Sequence, residues 1–322
     1  MTNLSTVQER FLVTMKKTIF RVISLCLCIL LSCSVISAKT NSSPPQWLVN
    51  ASDGEIQSVP QPQPDAEPEI KADIKVPILL YHHITDEEFS NGNEISLISP
   101  EDFRMHMTAI KVNYTPISLR QYYNYINCTD GSVTIPDNPI IVTFDDGYLS
   151  NYELAYPILK QLEIPATIFV VTDTVGETAE GGKVNYPHFN WEQAKEMEKS
   201  GLIEIQSHTA SHKILTELEY PQLVTQLRKS KYTIEMNLGR ECDMIAFPHG
   251  SYNEQVLSAA KAAGYKVNAI VDDLSTEQEF DVNLVSEGVE HLARMTVAGT
   301  MGNVNVIEIV RKAMAKKLVS ND

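Results

Sequence analysis

Short apolar runs alternate with amphipathic stretches along residues 76–271 of this 322-residue chain. The runs are rich in β-branched and aromatic side chains, which is typical of strands buried on both faces of a sheet. They predict strands at residues 76–80, 140–144, 166–171, 203–206, 244–247 and 266–271. Such alternation of strands and helices predicts an α/β fold with a parallel sheet or an α/β barrel.

Capping residues precede the amphipathic stretches. Ser99 stands before a proline and two acids, and Ser118 stands three residues before Gln121, as in a capping box. Asn190 and Asn253 cap the next candidates, and each of these stretches ends at a glycine. The predicted helices follow Ser99 and cover 122–126, 191–200, 221–238 and 254–263.

Polar side chains follow the ends of several predicted strands. In parallel α/β folds the chemistry lies on the loops after the carboxyl ends of the strands, so we expect these side chains to meet at one edge. They are Tyr81-His82-His83, Asp145-Asp146, His208 and Pro248-His249-Gly250.

Two pairs of residues in these loops can ligate a metal. Asp145 and Asp146 repel each other unless a cation or a proton resolves the conflict, although acids at this place can also stabilise a helix N-terminus. His208 and His212 are four residues apart, which brings both rings to one side of a helical turn or a turn-like loop. Two histidines alone are common as surface or core residues. Two histidines with a carboxylate leave a position open for water, as in hydrolytic metal sites.

These residues carry a resemblance to a known family. Thr143-Phe144-Asp145-Asp146-Gly147 matches the TFDDG motif of the NodB-like polysaccharide deacetylases, carbohydrate esterase family four, and residues 208–212 match H-[ST]-x-x-H. The third family motif, R-x-P-[FY]-G, is altered here to Ala246-Phe247-Pro248-His249-Gly250. The resemblance covers residues 76–322 and implies a distorted (β/α) barrel of about seven parallel strands, the NodB homology domain.

The resemblance also implies roles for the matched residues. Asp145 would be the general base that takes a proton from the attacking water, and a backbone N–H of the third motif, that of His249, would hold the oxyanion. The implied ligands of a divalent ion are Asp146, His208 and His212. Zinc is the first choice, with cobalt, nickel or manganese as alternatives. Substrate contacts are expected from Pro248, His249, Gly250 and Tyr148.

The general acid and the third motif depart from many relatives. Tyr81-His82-His83 looks like the Y-H-x motif of the branch that includes poly-N-acetylglucosamine deacetylases, so we expect His82 to be the acid, with His83 second and His291 third. His82 could instead make a structural hydrogen bond at a strand end. Ala246 stands where relatives have an arginine that pairs with the base, so either another cation serves Asp145 or this acid is tuned differently.

The implied function is metal-dependent hydrolysis of N-acetyl groups on an extracellular N-acetylglucosamine polysaccharide, such as a surface polymer, peptidoglycan or a chitin-like chain. Two alternatives stay open: removal of O-acetyl esters, for example from xylan, and non-catalytic glycan binding on the same scaffold. The chain has 26 basic and 41 acidic residues and a net charge of -15, which argues against a nucleic-acid partner. We expect a monomer.

The N-terminus has the order of a secretory signal. A basic stretch begins at Met15 and contains Lys16, Lys17 and Arg21. An apolar run follows at 22–31, and small residues come after it at Ser37-Ala38. Residues 1–38 are therefore predicted to be a signal, cleaved after Ala38 or lipidated at Cys33 to leave a membrane tether, with an uncleaved anchor as the third alternative. The proline-rich composition of residues 39–75 predicts a disordered tether. Residues 76–322 are predicted to form the catalytic domain.

Two cysteines, Cys128 and Cys242, remain beyond the predicted signal. In an exported protein they could form a disulfide or stay as thiols, and the sequence leaves this open. No CxxC spacing is present, so a cysteine metal site is not supported.

Overall fold

A computed structural model describes residues 74–86, 97–271, 282–297 and 306–315. The predicted signal at 1–38 lies outside the described residues, as does the predicted tether up to residue 73. The predicted catalytic domain is therefore the part in which site residues can be located.

The described residues form alternating strands and helices. The strands are β1 Lys75–Val76, β2 Ile78–Tyr81, β3 His83–Ile84, β4 Leu97–Ile98, β5 Thr115–Pro116, β6 Pro139–Phe144, β7 Ala166–Val170, β8 Ile203–Ser207, β9 Met244–Ala246, β10 Val267–Ala269, β11 Asn283–Leu284 and β12 Met295–Thr296. The α-helices are α1 Pro100–Asn113, α2 Leu119–Asn127, α3 Tyr156–Leu162, α4 Trp191–Lys199, α5 Tyr220–Leu238, α6 Glu254–Ala263 and α7 Val306–Ala315. All six strand predictions are met within a few residues.

The main sheet is parallel and has the strand order β10-β9-β8-β7-β6-β2-β12, with β5 continuing the pairing along β6. A parallel bridge between Ala269, at the end of β10, and Leu292, just before β12, links the two edges of this sheet. Parallel strands that tilt and twist around a common centre close in this way. The predicted distorted barrel of about seven strands is confirmed.

The helices begin where the capping residues place them. The Ser118 and Gln121 side chains form a full capping box at α2, and Asn190 with Gln193 does the same at α4. Asn253 caps α6, which ends at Gly264 in the left-handed region. Each of these caps satisfies backbone N–H or C=O groups that a helix end leaves without a partner.

Several elements carry no clear pattern in the sequence. The π-helical turn Asn151–Ala155 runs directly into α3, which has a proline near its start. Strand β12 has only two residues, and it depends on β2 for its hydrogen bonds. Such short elements are held by tertiary contacts, because their own length cannot stabilise them.

The sheet separates two apolar cores, because alternate side chains of a strand point to opposite faces. Leu79 and Val142 pack outward against the helices, whereas Ile78, Ile141 and Phe169 belong to a second cluster with Met244 and Ala246. This second cluster fills the barrel interior below the loops that follow the strands.

No disulfide links Cys128 to Cys242 in the described part of the chain, so the pairing that the sequence left open does not form. Burial raises the pKa of Cys242 to about 12, which makes it an inert packing residue. None of the described helices combines the length and the apolarity that crossing a bilayer demands.

Candidate active site and metal centre

The loops after neighbouring strands meet at the carboxyl end of the barrel, as the sequence predicts. Asp145 and Asp146 follow β6, and His208 follows β8. The turn Pro248–Gly250 follows β9, and its His249 ring lies 4.8 Å from the ring of His212. The structure thus brings the predicted base, metal ligands and third motif into one place.

Asp145 is held by an arginine that the sequence reasoning missed. Both terminal nitrogens of Arg294 donate to the Asp145 carboxylate, one to each oxygen, at 2.7 Å. Arg294 is fully buried, and Asp145 is 1% exposed. In the segment 290–294 the sequence offers His291 as the third candidate for the acid, and no spacing or motif there marks Arg294 as a partner of Asp145.

This ion pair decides the charge of Asp145. Burial by itself would raise the pKa of this carboxyl group, but the cationic Arg294, and after it His208, hold the pKa well below its ordinary value. Asp145 is therefore a carboxylate across the physiological range, even though Ala246 supplies no arginine. Of the two alternatives that the sequence left open, the structure shows that another cation serves this acid.

Asp146, His208 and His212 form a cluster whose candidate ligand atoms all lie within 4.8 Å of one another. Oδ1 of Asp146 lies 3.4 Å from Nε2 of His212 and 3.8 Å from Nε2 of His208. Ligands about 2.0–2.1 Å from a tetrahedral ion lie about 3.3 Å apart, so the two distances from Asp146 are close to the spacing of ligands around one ion. These three side chains fit a divalent metal ion with nitrogen and oxygen ligands.

His208 is oriented for ligation by its other ring nitrogen. Its Nδ1 lies 2.9 Å from the carbonyl oxygen of Ala246, so this nitrogen carries the proton and donates. The lone pair of Nε2 then faces the aspartates. Burial lowers the pKa of His208 to about 4, and the neutral ring is the form that binds a metal.

The loops of the site hold unusual backbone conformations. Four non-glycine residues of the site have positive φ: Asp146 at 69°, Thr209 at 68°, His212 at 54° and His249 at 57°. Left-handed backbone costs free energy in non-glycine residues and persists where the surrounding structure imposes it. His208 and His212 therefore lie on a turn-like loop rather than on a helical turn.

The three candidates for the general acid occupy different surroundings. His82 directly follows β2, lies close enough to Asp145 to contribute to its low pKa, and has a buried Nδ1 with no hydrogen-bond partner among the described residues. His83 points elsewhere, with Nδ1 2.8 Å from the Ser150 hydroxyl. His291 is exposed, and its ring centroid lies 5.3 Å from that of Tyr252, with the two ring planes tilted by 45°.

The turn Pro248–Gly250 offers one backbone donor. Pro248 has no N–H, and the N–H of Gly250 donates to the carbonyl of Phe247 at 3.0 Å. The N–H of His249 is the donor of this turn that remains for a ligand. A side chain at Gly250 would come within 2.8 Å of the Val271 carbonyl oxygen, so the turn is packed closely against its neighbour.

Aromatic side chains flank the aspartates on one side. Tyr148 lies between the rings of His83 and His188, with centroids 5.0 Å away in both cases. Burial raises the pKa of Tyr148, and the neighbouring carboxylate of Asp146 raises it further. Tyr148 thus stays a neutral phenol beside a metal-capable carboxylate.

A family model described as polysaccharide deacetylase matches residues 132–268. This stretch contains both aspartates, both histidines of the metal cluster and the turn after β9. Residues 132–268 are therefore similar to the polysaccharide deacetylases. Members of this family are hydrolases that act on amide bonds.

Two bacterial proteins are similar to this chain in sequence. YxkH of Bacillus subtilis, named as a polysaccharide deacetylase, is 31% identical over 204 residues, which are 62% of this chain and 65% of that protein. The poly-beta-1,6-N-acetyl-D-glucosamine N-deacetylase of Staphylococcus aureus is 34% identical over 139 residues, which are 41% of this chain and 47% of that protein. The chain thus matches between about half and two thirds of these relatives' length.

Two solved structures are similar to this chain in fold. The Streptococcus pyogenes deacetylase PplD, in complex with acetate, has a TM-score of 0.61 and 26% identity, covering 74% of this chain and 98% of that one. IcaB from Ammonifex degensii has a TM-score of 0.60 and 23% identity, covering 71% of this chain and 93% of that one. Because its identity is only 23%, the similarity to IcaB concerns the fold alone.

Proposed function

We propose that this protein hydrolyses N-acetyl groups of an extracellular N-acetylglucosamine polysaccharide in a metal-dependent reaction. The observation that carries the proposal is the cluster of Asp146, His208 and His212 beside the buried carboxylate of Asp145. A glycan-binding protein without activity would gain nothing from a carboxylate held ionised next to three metal-capable side chains.

Asp146, His208 and His212 would hold a divalent ion, for which zinc is the first choice because two imidazoles and one carboxylate are its usual ligands. Such an ion would activate a water molecule and polarise the acetyl carbonyl group. The hydrogen bond from His208 to Ala246 keeps the ring in the orientation and tautomer that ligation needs.

The remaining steps belong to the chain's own groups. Asp145 accepts the proton of the attacking water, because its carboxylate is ionised and Oδ2 lies 3.7 Å from Nε2 of His208, at the edge of the cluster. The N–H of His249 donates to the oxygen that becomes negative as water adds to the acetyl carbon. Breaking the carbon–nitrogen bond then releases acetate.

A proton must reach the sugar nitrogen, since an amide nitrogen does not leave as an anion. We assign this transfer to His82, which lies at the end of β2 near Asp145 and whose Nδ1 has no competing partner among the described residues. Tyr148 and the turn Pro248–Gly250 border the same space and would contact the substrate.

The substrate class rests on the relatives. The Staphylococcus aureus relative is named for poly-beta-1,6-N-acetyl-D-glucosamine, and the structure of the Streptococcus pyogenes relative holds acetate, the product of a deacetylation. The signal-like order of residues 1–38 supports export, with release after Ala38 or membrane attachment at Cys33. A monomer is consistent with a site built from one chain.

Acetate release from N-acetylglucosamine oligomers tests the proposal. Purified protein should release acetate when loaded with zinc, lose this activity with a chelator, and regain it when zinc is restored. An acetylated xylan serves as the ester substrate, and His82→Ala should reduce amide turnover more than ester turnover. No acetate from amide or ester by zinc-loaded protein would refute the enzyme assignment, and ester turnover alone would redirect it to an esterase.

A further inference from the structure

Arg294 is fixed on every side of its guanidinium. Its terminal nitrogens donate to the two oxygens of Asp145, and Nε donates to the carbonyl of Ile270 at 3.1 Å. The guanidinium carbon lies 5.3 Å from the centroid of the Phe169 ring. A planar group with these partners cannot rotate without breaking hydrogen bonds, so it also sets the orientation of the carboxylate that it binds.

The orientation of the Asp145 carboxylate decides where its remaining hydrogen-bond positions point. Each carboxylate oxygen accepts about two hydrogen bonds, and Arg294 uses one position on each. The open side of Oδ2 lies 3.7 Å from Nε2 of His208. Arg294 therefore turns the unoccupied edge of Asp145 toward the metal cluster, where a water molecule must be deprotonated.

The barrel interior has space for this arginine because two small residues stand nearby. Ala246 on β9 and Ala269 on β10 belong to the same buried cluster as Phe169, over which the guanidinium lies. Arg294 itself comes from the segment that closes the barrel between β10 and β2. The cation thus reaches Asp145 from the segment directly before β12 instead of from β9.

We propose that Arg294 is the positioning residue of Asp145, and that it takes over the task that the resemblance assigns to an arginine at position 246. The two positions are then alternatives: an arginine at either one fills the same interior space and grips the same carboxylate. The inference rests on the proposed deacetylase function, because it concerns how the base of that reaction is held.

The test compares Arg294→Met, Arg294→Lys and the double variant Arg294→Met/Ala246→Arg by kcat and KM of acetate release, zinc content and thermal unfolding. Arg294→Met should lower kcat by about 100-fold, the effect of a misplaced catalytic group, with KM and zinc content unchanged. Arg294→Lys keeps the charge and loses the two-pronged grip, so it should stay folded and still lose at least about tenfold in kcat. The double variant should recover at least about tenfold of the activity lost in Arg294→Met.

Arg120→Met is the matched control, since it removes an arginine from another ion pair at the opposite end of the barrel and should leave kcat unchanged. Wild-type activity in Arg294→Lys would overturn the positioning role, and a double variant as inactive as Arg294→Met would overturn the exchange of positions. If Arg294→Met does not fold, the kcat values of Arg294→Lys and of the double variant are compared with that of wild type, and these comparisons decide. A zinc-loaded wild type that releases no acetate overturns the proposed function, and this inference with it.

Discussion

At the scale of single residues, two neighbouring aspartates have different tasks because they have different surroundings. The Asp145 side chain is 1% exposed and bound by Arg294, so a protein cation already neutralises it. The Asp146 side chain is 15% exposed and turns toward His208 and His212 through a left-handed backbone. The first can act as a base and the second as a ligand.

Asp145→Asn and His208→Ala should separate these two tasks. Asparagine cannot accept the proton, so turnover should fall by about 100-fold or more while zinc content stays the same. His208→Ala should lose the zinc itself, because one of three protein ligands is gone. Metal analysis after dialysis and acetate release measure both effects, and zinc retained at full content by His208→Ala would contradict the ligand assignment.

His83 predicts how stability depends on pH. Burial, and then the neighbouring His188, lower the pKa of His83 to about 4, so the unfolded chain binds the extra proton between about pH 6.5 and pH 4. Its contribution to stability is complete above pH 6.5 and is lost as the pH falls toward 4, by up to about 3 kcal/mol. Urea unfolding over this range should show a shallower loss for His83→Asn than for wild type. His291→Asn, at an exposed position, is the control, and equal slopes in all three proteins would refute the prediction.

At the scale of elements, the loops after the strands are tighter than an ordinary surface loop. Gly147 follows the two aspartates with φ of 80°, and a Cβ there would lie 2.9 Å from Cγ1 of the buried Val170. The segment also pairs with the loop before α4, through a bridge between Tyr148 and His188. The strand end, the turn and this bridge together decide where Asp146 points.

Gly147→Ala should lower the free energy of unfolding more than Gly131→Ala does. Both glycines have a left-handed backbone, but only Gly147 has atoms close to the added Cβ. Gly131 has φ of 72° and no atom within 4 Å of a built Cβ, so Gly131→Ala should cost only about 1–2 kcal/mol of backbone strain. The clash at Gly147 should add about 1–3 kcal/mol and reduce turnover, because the aspartate turn must shift. Equal free energies of unfolding for the two variants, measured in urea, would show that the Val170 side chain moves aside without loss of stability.

At the scale of the whole molecule, the two ends of the barrel serve different purposes. The carboxyl ends of the strands carry the candidate site, whereas an ion-pair network of Arg120, Glu204 and Asp243 lies near the amino ends of β8 and β9. Asp243 is almost fully buried, so its carboxylate depends on its cations. In barrels of this kind the amino end contributes stability without taking part in chemistry.

Arg120→Met should therefore lower stability and spare activity. Arg120 is 31% exposed and Lys266 lies 3.3 Å from the same aspartate, so the loss should be about 2 kcal/mol, below that of a fully isolated buried charge. Urea unfolding and acetate release from the same preparation check both parts. A loss of kcat in folded protein would show that the two ends are coupled.

The sequence by itself determined the elements and most of the candidate site. Strand runs, capping residues and two unbroken motifs are local patterns, and parallel strands bring their carboxyl ends to one edge whatever the loops contain. That rule predicted that the aspartates and His208 meet at one edge, and the family resemblance selected Asp146, His208 and His212 as the metal ligands. Fold and metal cluster were therefore predictable before any coordinates were known.

Only the tertiary structure decided what holds Asp145. Arg294 is 149 residues away in sequence and directly precedes the two-residue strand β12, which depends on β2 for its hydrogen bonds. No spacing or periodicity connects two such positions, since an ion pair across a barrel depends on closure of the sheet and on the space beside Ala246. The surroundings of His82 and the burial of Cys242 depend on long-range contacts in the same way, and a local sequence pattern does not contain them.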